Sequence, residues 1–335
     1  MGIKNLNKFL IDNCKKSSIK RTHLSELESK TIVIDTSIYL YKFAADGTLL
    51  EHFYLMISIF HHYKIIPIFI FDGKPPKEKR ALLIQRRNLR LESEKQYQIK
   101  KAELEQVDDI DEKLELEKEI EILKRDATSI SYDDLAIVKK LMTAYGVKYY
   151  CAEGEADILC AQMVLSGKAW GCMSDDMDMF LYGCNRVFRN FSLLHHNVME
   201  YNMDAILEDL DMKLVAFREI AVLSGTDYNI NLHIDIYKLF VLYKKYTLLE
   251  NNIQDKIPFY SWVIEKSGEL FSNDMEILNY HSIYTYNTSI LKLFDIDIYA
   301  NVNQTFLEDI PSQHIEINME DLKSIMETDG FVFVQ

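Results

Sequence analysis

Nowhere in the 335 residues do ~20 apolar positions follow one another without a charge, the length a membrane-spanning helix needs. The opening Met1-Gly2-Ile3-Lys4 has no apolar core of a secretory leader, and Leu6 stands where a myristoylation signal has Ser or Thr. The expectation is a protein that neither enters a membrane nor is secreted. The five cysteines (Cys14, Cys151, Cys160, Cys172, Cys184) form no CxxC pair. An odd, irregularly spaced set lying mostly in apolar stretches reads as reduced core thiols, and without finger-like spacing it argues against zinc. There is also no internal repeat and no Pro/Gly/Ser-rich linker, which favours one continuous body.

Basic residues are in deficit, with a net charge of −14. That total speaks against a polyanionic partner, but its distribution does not. From Lys74 to Lys101 ten Lys and Arg face three Glu, a local charge of +7. From Glu103 to Glu121 the balance reverses to −8. One concentrated basic segment in an acidic chain is what a phosphate backbone would require. Charge alone supports equally well a solvated helix pair whose opposite charges attract.

The β-branched, apolar runs 31–34 and 65–71 predict buried strands, as do 147–151, 169–173 and 186–188. Helical patterns fill 36–45, 49–63, 129–145, 154–166 and 211–223 between and after them, then 235–250 and 258–270. Alternation of this kind predicts an α/β domain on a mostly parallel central sheet flanked by helices. Residues 75–124 interrupt it with a long polar helix-forming stretch, broken at Asp108-Asp109-Ile110-Asp111, and predict a projecting helical hairpin.

Four of these strands run into acids. Ile34 leads to Asp35, Phe71 to Asp72, Cys151 to Glu153-Gly154-Glu155-Ala156-Asp157, and Met173-Ser174 to Asp175-Asp176-Met177-Asp178. Open parallel sheets build sites beyond the carboxyl ends of their strands. Any single acid there is most simply a helix N-cap. Four in one pattern, two of them E/D-x-D pairs, would repel one another unless cations intervene. Mg²⁺ prefers carboxylate and water oxygens and leaves room for phosphate. Paired ions ~3.5–4 Å apart stabilise both attacking and leaving oxygens of a displacement.

With these acids in place the sequence resembles the flap endonuclease branch of the XPG-type structure-specific 5′ nucleases. Met1-Gly2-Ile3-Lys4-Asn5-Leu6 is similar to the family's MGIxxL opening, and Phe71-Asp72-Gly73-Lys74-Pro75-Pro76 to its FDGKPP. Gly154-Glu155-Ala156-Asp157 resembles its SEAEA segment, Ser174-Asp175-Asp176-Met177-Asp178 its TEDMD, and Leu223-Ser224-Gly225-Thr226-Asp227-Tyr228 its LLGSDY.

The resemblance implies a PIN-like nuclease core over residues 1–228, with a helical arch or cap inserted at about 75–145. It implies a mostly helical region 229–335 with a degenerate helix–two-turn–helix. Asp35, Asp72, Glu155 and Asp157 are assigned to one metal, and Asp176, Asp178 and Asp227 to a second, with Mg²⁺ as the cofactor and Mn²⁺ able to substitute. Asp157 stands where the family usually has Glu, one methylene longer. Lys79 and Arg86 match the catalytic basic pair, seven residues and two helical turns apart. Gly2, Tyr41, Lys74, Arg87 and Arg90 are expected to touch DNA, Tyr41 by stacking on a base. Glu153 and Asp175 match no family ligand.

The implied activity is metal-dependent cleavage at 5′ flaps or branches, with 5′→3′ exonuclease activity, in replication, repair or recombination. Alternatives are a mainly exonucleolytic or gap-cutting enzyme, a catalytically silent DNA-binding protein, or action on RNA. The partner is branched or 5′-ended DNA and the chain is expected to be a monomer. Residues 229–235 lack the glycine that shapes the family's K⁺ and duplex site, and 48–63 lack Lys and Arg. Gln304–Pro311 offers no sliding-clamp box, and no basic nuclear-targeting tail follows. These departures imply a weaker duplex grip. With no leader, the expected setting is intracellular: nucleus, cytoplasm or a viral replication site.

Overall fold

The computed structural model describes residues 3–105, 107, 109–228, 234–250, 258–263, 289–296, 317–328 and 330–331. The strands are β1 (Ile19–His23), β2 (Thr31–Asp35), β3 (Ile66–Phe71), β4 (Lys148–Cys151), β5 (Gly171–Met173), β6 (Arg186–Ser192) and β7 (Asn197–Asn202). The helices are α1 (Leu6–Asn13), α2 (Thr36–Ala45), α3 (Leu49–His62), α4 (Arg80–Leu104), α5 (Ile110–Ala127) and α6 (Tyr132–Ala144), followed by α7 (Ala156–Leu165), α8 (Asp178–Tyr182), α9 (Met203–Leu210), α10 (Leu214–Ser224), α11 (Ile236–Glu250) and α12 (Met319–Thr328). They fall into two compact units. One comprises Met1–His23, Asp157–Phe191 and Asn197–Glu308; the other comprises Leu24–Ala156, Ser192–His196 and Asp309–Gln335.

In the second unit β2, β3 and β4 run parallel, with Asp35 level with Ile70 and Phe71 level with Cys151. Parallel neighbours need long crossovers. Here α2 and α3 carry the chain from β2 to β3, and α4 to α6 from β3 to β4. Ile32, Val33, Ile34, Ile68, Phe69 and Ile70 are all fully buried, which is why they read as unbroken apolar runs. Burial of each such side chain contributes ~1.5–3 kcal/mol. The capping box Ser131/Asp134 fixes the start of α6.

α4 and α5 form a helical hairpin that contributes little core: Leu82 and Leu116 are its buried apolar residues among those described. Lys100 on α4 pairs with Glu119 on α5 at 3.3 Å, so opposite charges meet across the hairpin. Arg125 of α5 reaches Asp46 beyond α2 at 3.7 Å.

In the first unit β5 and β6 are parallel, and β1 pairs antiparallel with β7, Ile19 opposite Tyr201. Neither β1 nor β7 was expected from the sequence. β1 is Ile19-Lys20-Arg21-Thr22-His23 with only positions 19 and 22 buried, so it presents no apolar run. The helix expected over 211–223 is α10, and α9 before it is a separate helix with no counterpart among the sequence patterns, closed at Asp211 by a left-handed backbone (φ 50°). Aspartate tolerates that conformation better than most side chains. α11 packs on α1 through Phe9, whose ring meets Tyr237 and Phe240 edge-on. All five cysteines are free, and Cys160, Cys172 and Cys184 lie in the core as expected; Cys151 is exposed. No helix among the described residues is long and apolar enough to cross a membrane.

Candidate metal-dependent active site

In the second unit three of the candidate acids lie at or beyond the carboxyl ends of adjacent strands. Asp35 is 7% exposed and accepts a hydrogen bond from Ser37 N at 3.3 Å. It therefore caps α2, so the capping role and the ligand position coincide in one residue. Asp72 accepts from the Ser37 hydroxyl through one oxygen and from Ala156 N at 2.7 Å through the other. Ser37 thus ties the segment after β2 to that after β3.

A second tie joins the segments after β3 and β4. Gly73 N donates to Gly154 O at 2.7 Å and Lys74 N to Glu153 O at 3.0 Å. A Cβ at Gly73 would lie 1.9 Å from Ala152 O, so only glycine admits this approach. Glu155 follows directly, its carboxylate 2.7 Å from Lys79 Nζ, with side chains 15% and 9% exposed.

Lys79 closes a short 3₁₀ turn (Lys77–Lys79) ahead of α4 rather than lying within the helix. The two-turn helical spacing to Arg86 therefore does not extend back to it. Lys79 is buried while Arg86 is half-buried. Tyr41 is 44% exposed, and Arg90 stands 6.0 Å over its ring. Lys74 and Arg87 are exposed. Gly2 lies outside the described residues.

In the first unit Asp157 lies in the first turn of α7, 7% exposed, accepting from Ile158 N at 2.7 Å and from Tyr182 Oη at 3.3 Å. Asp176 accepts from Asp178 N at 3.0 Å, and its own N–H donates to Ser174 Oγ at 3.1 Å. Asp178 is completely buried at the start of α8. Asp227 is half-buried beyond α10, after Gly225 (φ 97°). The glycine-free segment 229–235 lies outside the described residues except for its last two positions.

Among the described residues no three His, Cys, Asp or Glu side chains already stand together as a metal site. Asp35, Asp72, Glu155 and Asp157 are instead engaged locally, by Ser37, Ala156, Lys79, Ile158 and Tyr182. The chemistry of the donor set still fits a hard divalent cation. Every assigned group is a carboxylate, and no thiol or imidazole belongs to it.

Sequence reasoning passed over Ser37 and Arg189. Ser37 bridges two acids but resembles any helix-start serine, and Arg189 sits in a strand between Phe188 and Asn190 with no local sign of what it reaches.

The first 93 residues match the XPG N-terminal domain and residues 146–227 match the XPG I-region, together more than half of the chain. Flap endonuclease 1 of Methanococcus aeolicus is 30% identical over 63% of this chain and 66% of its own length. That of Caenorhabditis elegans is 28% identical over 82% of this chain and 75% of its own. The chain thus spans about two thirds to three quarters of these two relatives. Among solved structures, the catalytic core of Rad2 in complex with DNA superposes with a TM-score of 0.61 at 20% identity, covering 98% of this chain and 94% of that one. The Holliday junction-resolving enzyme GEN1, in complex with product DNA and Mg²⁺, gives 0.63 at 17% identity, over 98% and 73%. These likenesses carry the fold: α/β, with a mostly parallel sheet and flanking helices. The ordered acids, the two matched domains and the relatives agree that this chain belongs to the flap endonuclease branch of the XPG family of nucleases.

Proposed function

We propose that this XPG-family nuclease hydrolyses DNA phosphodiesters at 5′ flaps or branches and trims 5′ ends, using divalent cations held by its strand-end carboxylates. The observation that carries the reading is the ordered set Asp35, Asp72, Glu155, Asp157, Asp176, Asp178 and Asp227, all hard oxygen donors, within a chain matched by both XPG domains. Asp35, Asp72, Glu155 and Asp157 would hold one cation and Asp176, Asp178 and Asp227 a second. Mg²⁺ is the expected ion and Mn²⁺ a substitute. When bound, the cations supply a water-derived nucleophile at neutral pH and charge neutralisation on the phosphate.

The chain's own residues do the rest. Arg86 and the cationic face of α4, with Arg87 and Arg90, attract and orient the phosphate backbone. Lys79 pairs with Glu155, and its ammonium would be placed to meet charge developing on the phosphate. Tyr41, exposed beneath Arg90, offers a base a stacking face. Gly2 and Lys74 would add backbone contacts. The partner is branched or 5′-ended DNA, with RNA a weaker candidate. The protein acts as an intracellular monomer, in nucleus or cytoplasm or at a viral replication site.

One panel of end-labelled flap, nicked, gapped and single-stranded DNAs tests the proposal, with Mg²⁺ and with chelator, beside the Asp178→Asn protein. Chelator-sensitive cutting near the flap junction is expected. Tight DNA binding without Mg²⁺-dependent cutting of any substrate would point instead to a silent DNA-binding protein.

A further inference from the structure

Arg189 in β6 is a buried cation that the proposed chemistry does not use. It is 9% exposed, and among the described residues no carboxylate pairs with it. Nη1 donates to Asn7 Oδ1 at 2.7 Å and Nη2 to the main-chain oxygen of Asp175 at 2.8 Å, while the buried Nε has no acceptor. The guanidinium lies 5.7 Å from the centre of the Tyr201 ring, whose hydroxyl donates to the same Asn7 oxygen at 2.7 Å. The next residue, Asn190, adopts a left-handed backbone (φ 53°) that aims its N–H at Asp175 Oδ1, 2.7 Å away.

Two of these features are unfavourable by themselves. A buried charge without a counter-charge is poorly solvated, and an unmet buried donor loses its bond to water. The left-handed backbone at Asn190 is one that asparagine tolerates better than most side chains. Nη2 of Arg189 and the Asn190 N–H both reach Asp175, the residue before the candidate ligand Asp176. Within the turn itself the bonds are internal, Ser174 to Asp176 and Asp176 to Asp178. From outside, β6 grips it through Ser174 N to Phe188 O at 3.1 Å, through Arg189 and through Asn190.

We infer that Arg189 is a positioning residue, fixing the Asp176–Asp178 turn in its cation-binding conformation by clamping the Asp175 carbonyl between β6 and Asn7. The inference rests on the metal-dependent reading above. Groups that orient ligands without touching the metal typically change its affinity 10–100-fold when removed. The charge of Arg189 acts in the opposite sense, because a nearby cation repels another. Clamp and charge therefore predict opposite signs.

The test is Mn²⁺ binding to the DNA-free full chain, read as loss of the free-ion EPR signal, together with melting temperature in chelator. Wild type should bind, and Asp178→Asn should bind much less. Arg189→Met, with its unbranched apolar stem, and Arg189→Lys, which keeps the charge but not the two-armed grip, should both bind at least 10-fold more weakly while remaining folded. Asn7→Ala, which removes one arm of the clamp, should weaken binding several-fold and stands as the deciding variant if Arg189→Met does not fold. Unchanged affinity in Arg189→Lys, tighter binding in Arg189→Met, or unchanged affinity in Asn7→Ala each overturns the clamp. Absence of binding by wild type removes the metal reading and this inference with it.

Discussion

Lys79 and Glu155 form a nearly enclosed ion pair, Nζ to Oε1 2.7 Å, between the turn that opens the helical hairpin and the segment after β4. The Glu155 carboxylate, which would serve a cation, is already engaged by an ammonium through Oε1. Breaking such a pair from one side strands a charge and typically costs ~3 kcal/mol or more. Lys79→Met should therefore lose stability of that order in chelator, and much of the deficit should vanish in Lys79→Met/Glu155→Gln. Urea titrations of the three proteins, with and without Mg²⁺, measure it. Equal midpoints for wild type and Lys79→Met in chelator would mean the pair is incidental.

Asp178→Asn and Asp72→Asn should each remove most cleavage while leaving DNA binding largely intact. Asp178 is completely buried, so neutralising it also removes a desolvation penalty. Its melting temperature in chelator should equal or exceed wild type, whereas Mg²⁺ should stabilise it less. Single-turnover cleavage at low millimolar Mg²⁺ is the primary measurement, and near-normal rates in either variant contradict the assignment.

The basic segment divides by structure. Lys95 is exposed, while Lys100 is already engaged by Glu103 at 3.2 Å and Glu119 at 3.3 Å, which holds its pKa above the ordinary lysine value. Each phosphate contact contributes about −0.9 to the log–log salt slope. Lys95→Ala should flatten that slope by up to one contact, and Lys100→Ala by distinctly less. Arg86→Ala should instead depress the cleavage rate more than affinity. Flap binding across a salt series with Ca²⁺ in place of Mg²⁺ separates these outcomes, and identical slopes for the two lysine variants would argue against the division.

Glu219, buried in α10, has its carboxyl pushed up to about 7, chiefly by burial and against a hydrogen bond from Tyr260 N–H. Because the folded state holds this proton more tightly than the unfolded chain, stability is greatest below the unfolded value of 4.5 and falls as pH rises towards 7. At ~1.4 kcal/mol per unit, the loss is on the order of 3 kcal/mol, complete slightly above neutrality. Glu219→Gln keeps an acceptor for Tyr260 and should flatten the curve between pH 5 and 8. Parallel stability profiles for the two proteins would exclude Glu219 as the source.

The acids were legible because β2, β3 and β5 announce themselves as apolar runs and each delivers its carboxylate a residue or two later. Asp35 and Asp72 needed no knowledge of anything distant. β1 and β7 were not legible, since an antiparallel pair of mixed polarity satisfies its backbone without an apolar signature. Arg189 was hidden for a related reason. Its partners Asn7 and Asp175 lie 182 and 14 residues away, and its burial depends on a fold that a linear pattern cannot carry. Lys79 resembled the first turn of a helix until the 3₁₀ turn appeared.

Gly73 leaves the chain little latitude. Because its α-carbon faces Ala152 O with no room for a methyl group, the segments that follow β3 and β4 cannot drift apart or change length independently. Insertions tolerated by an ordinary loop would register here as loss of a whole site. A Gly73→Ala allele should wedge the two segments apart without emptying the core, the behaviour of a conditional mutant that folds in the cold and fails on warming.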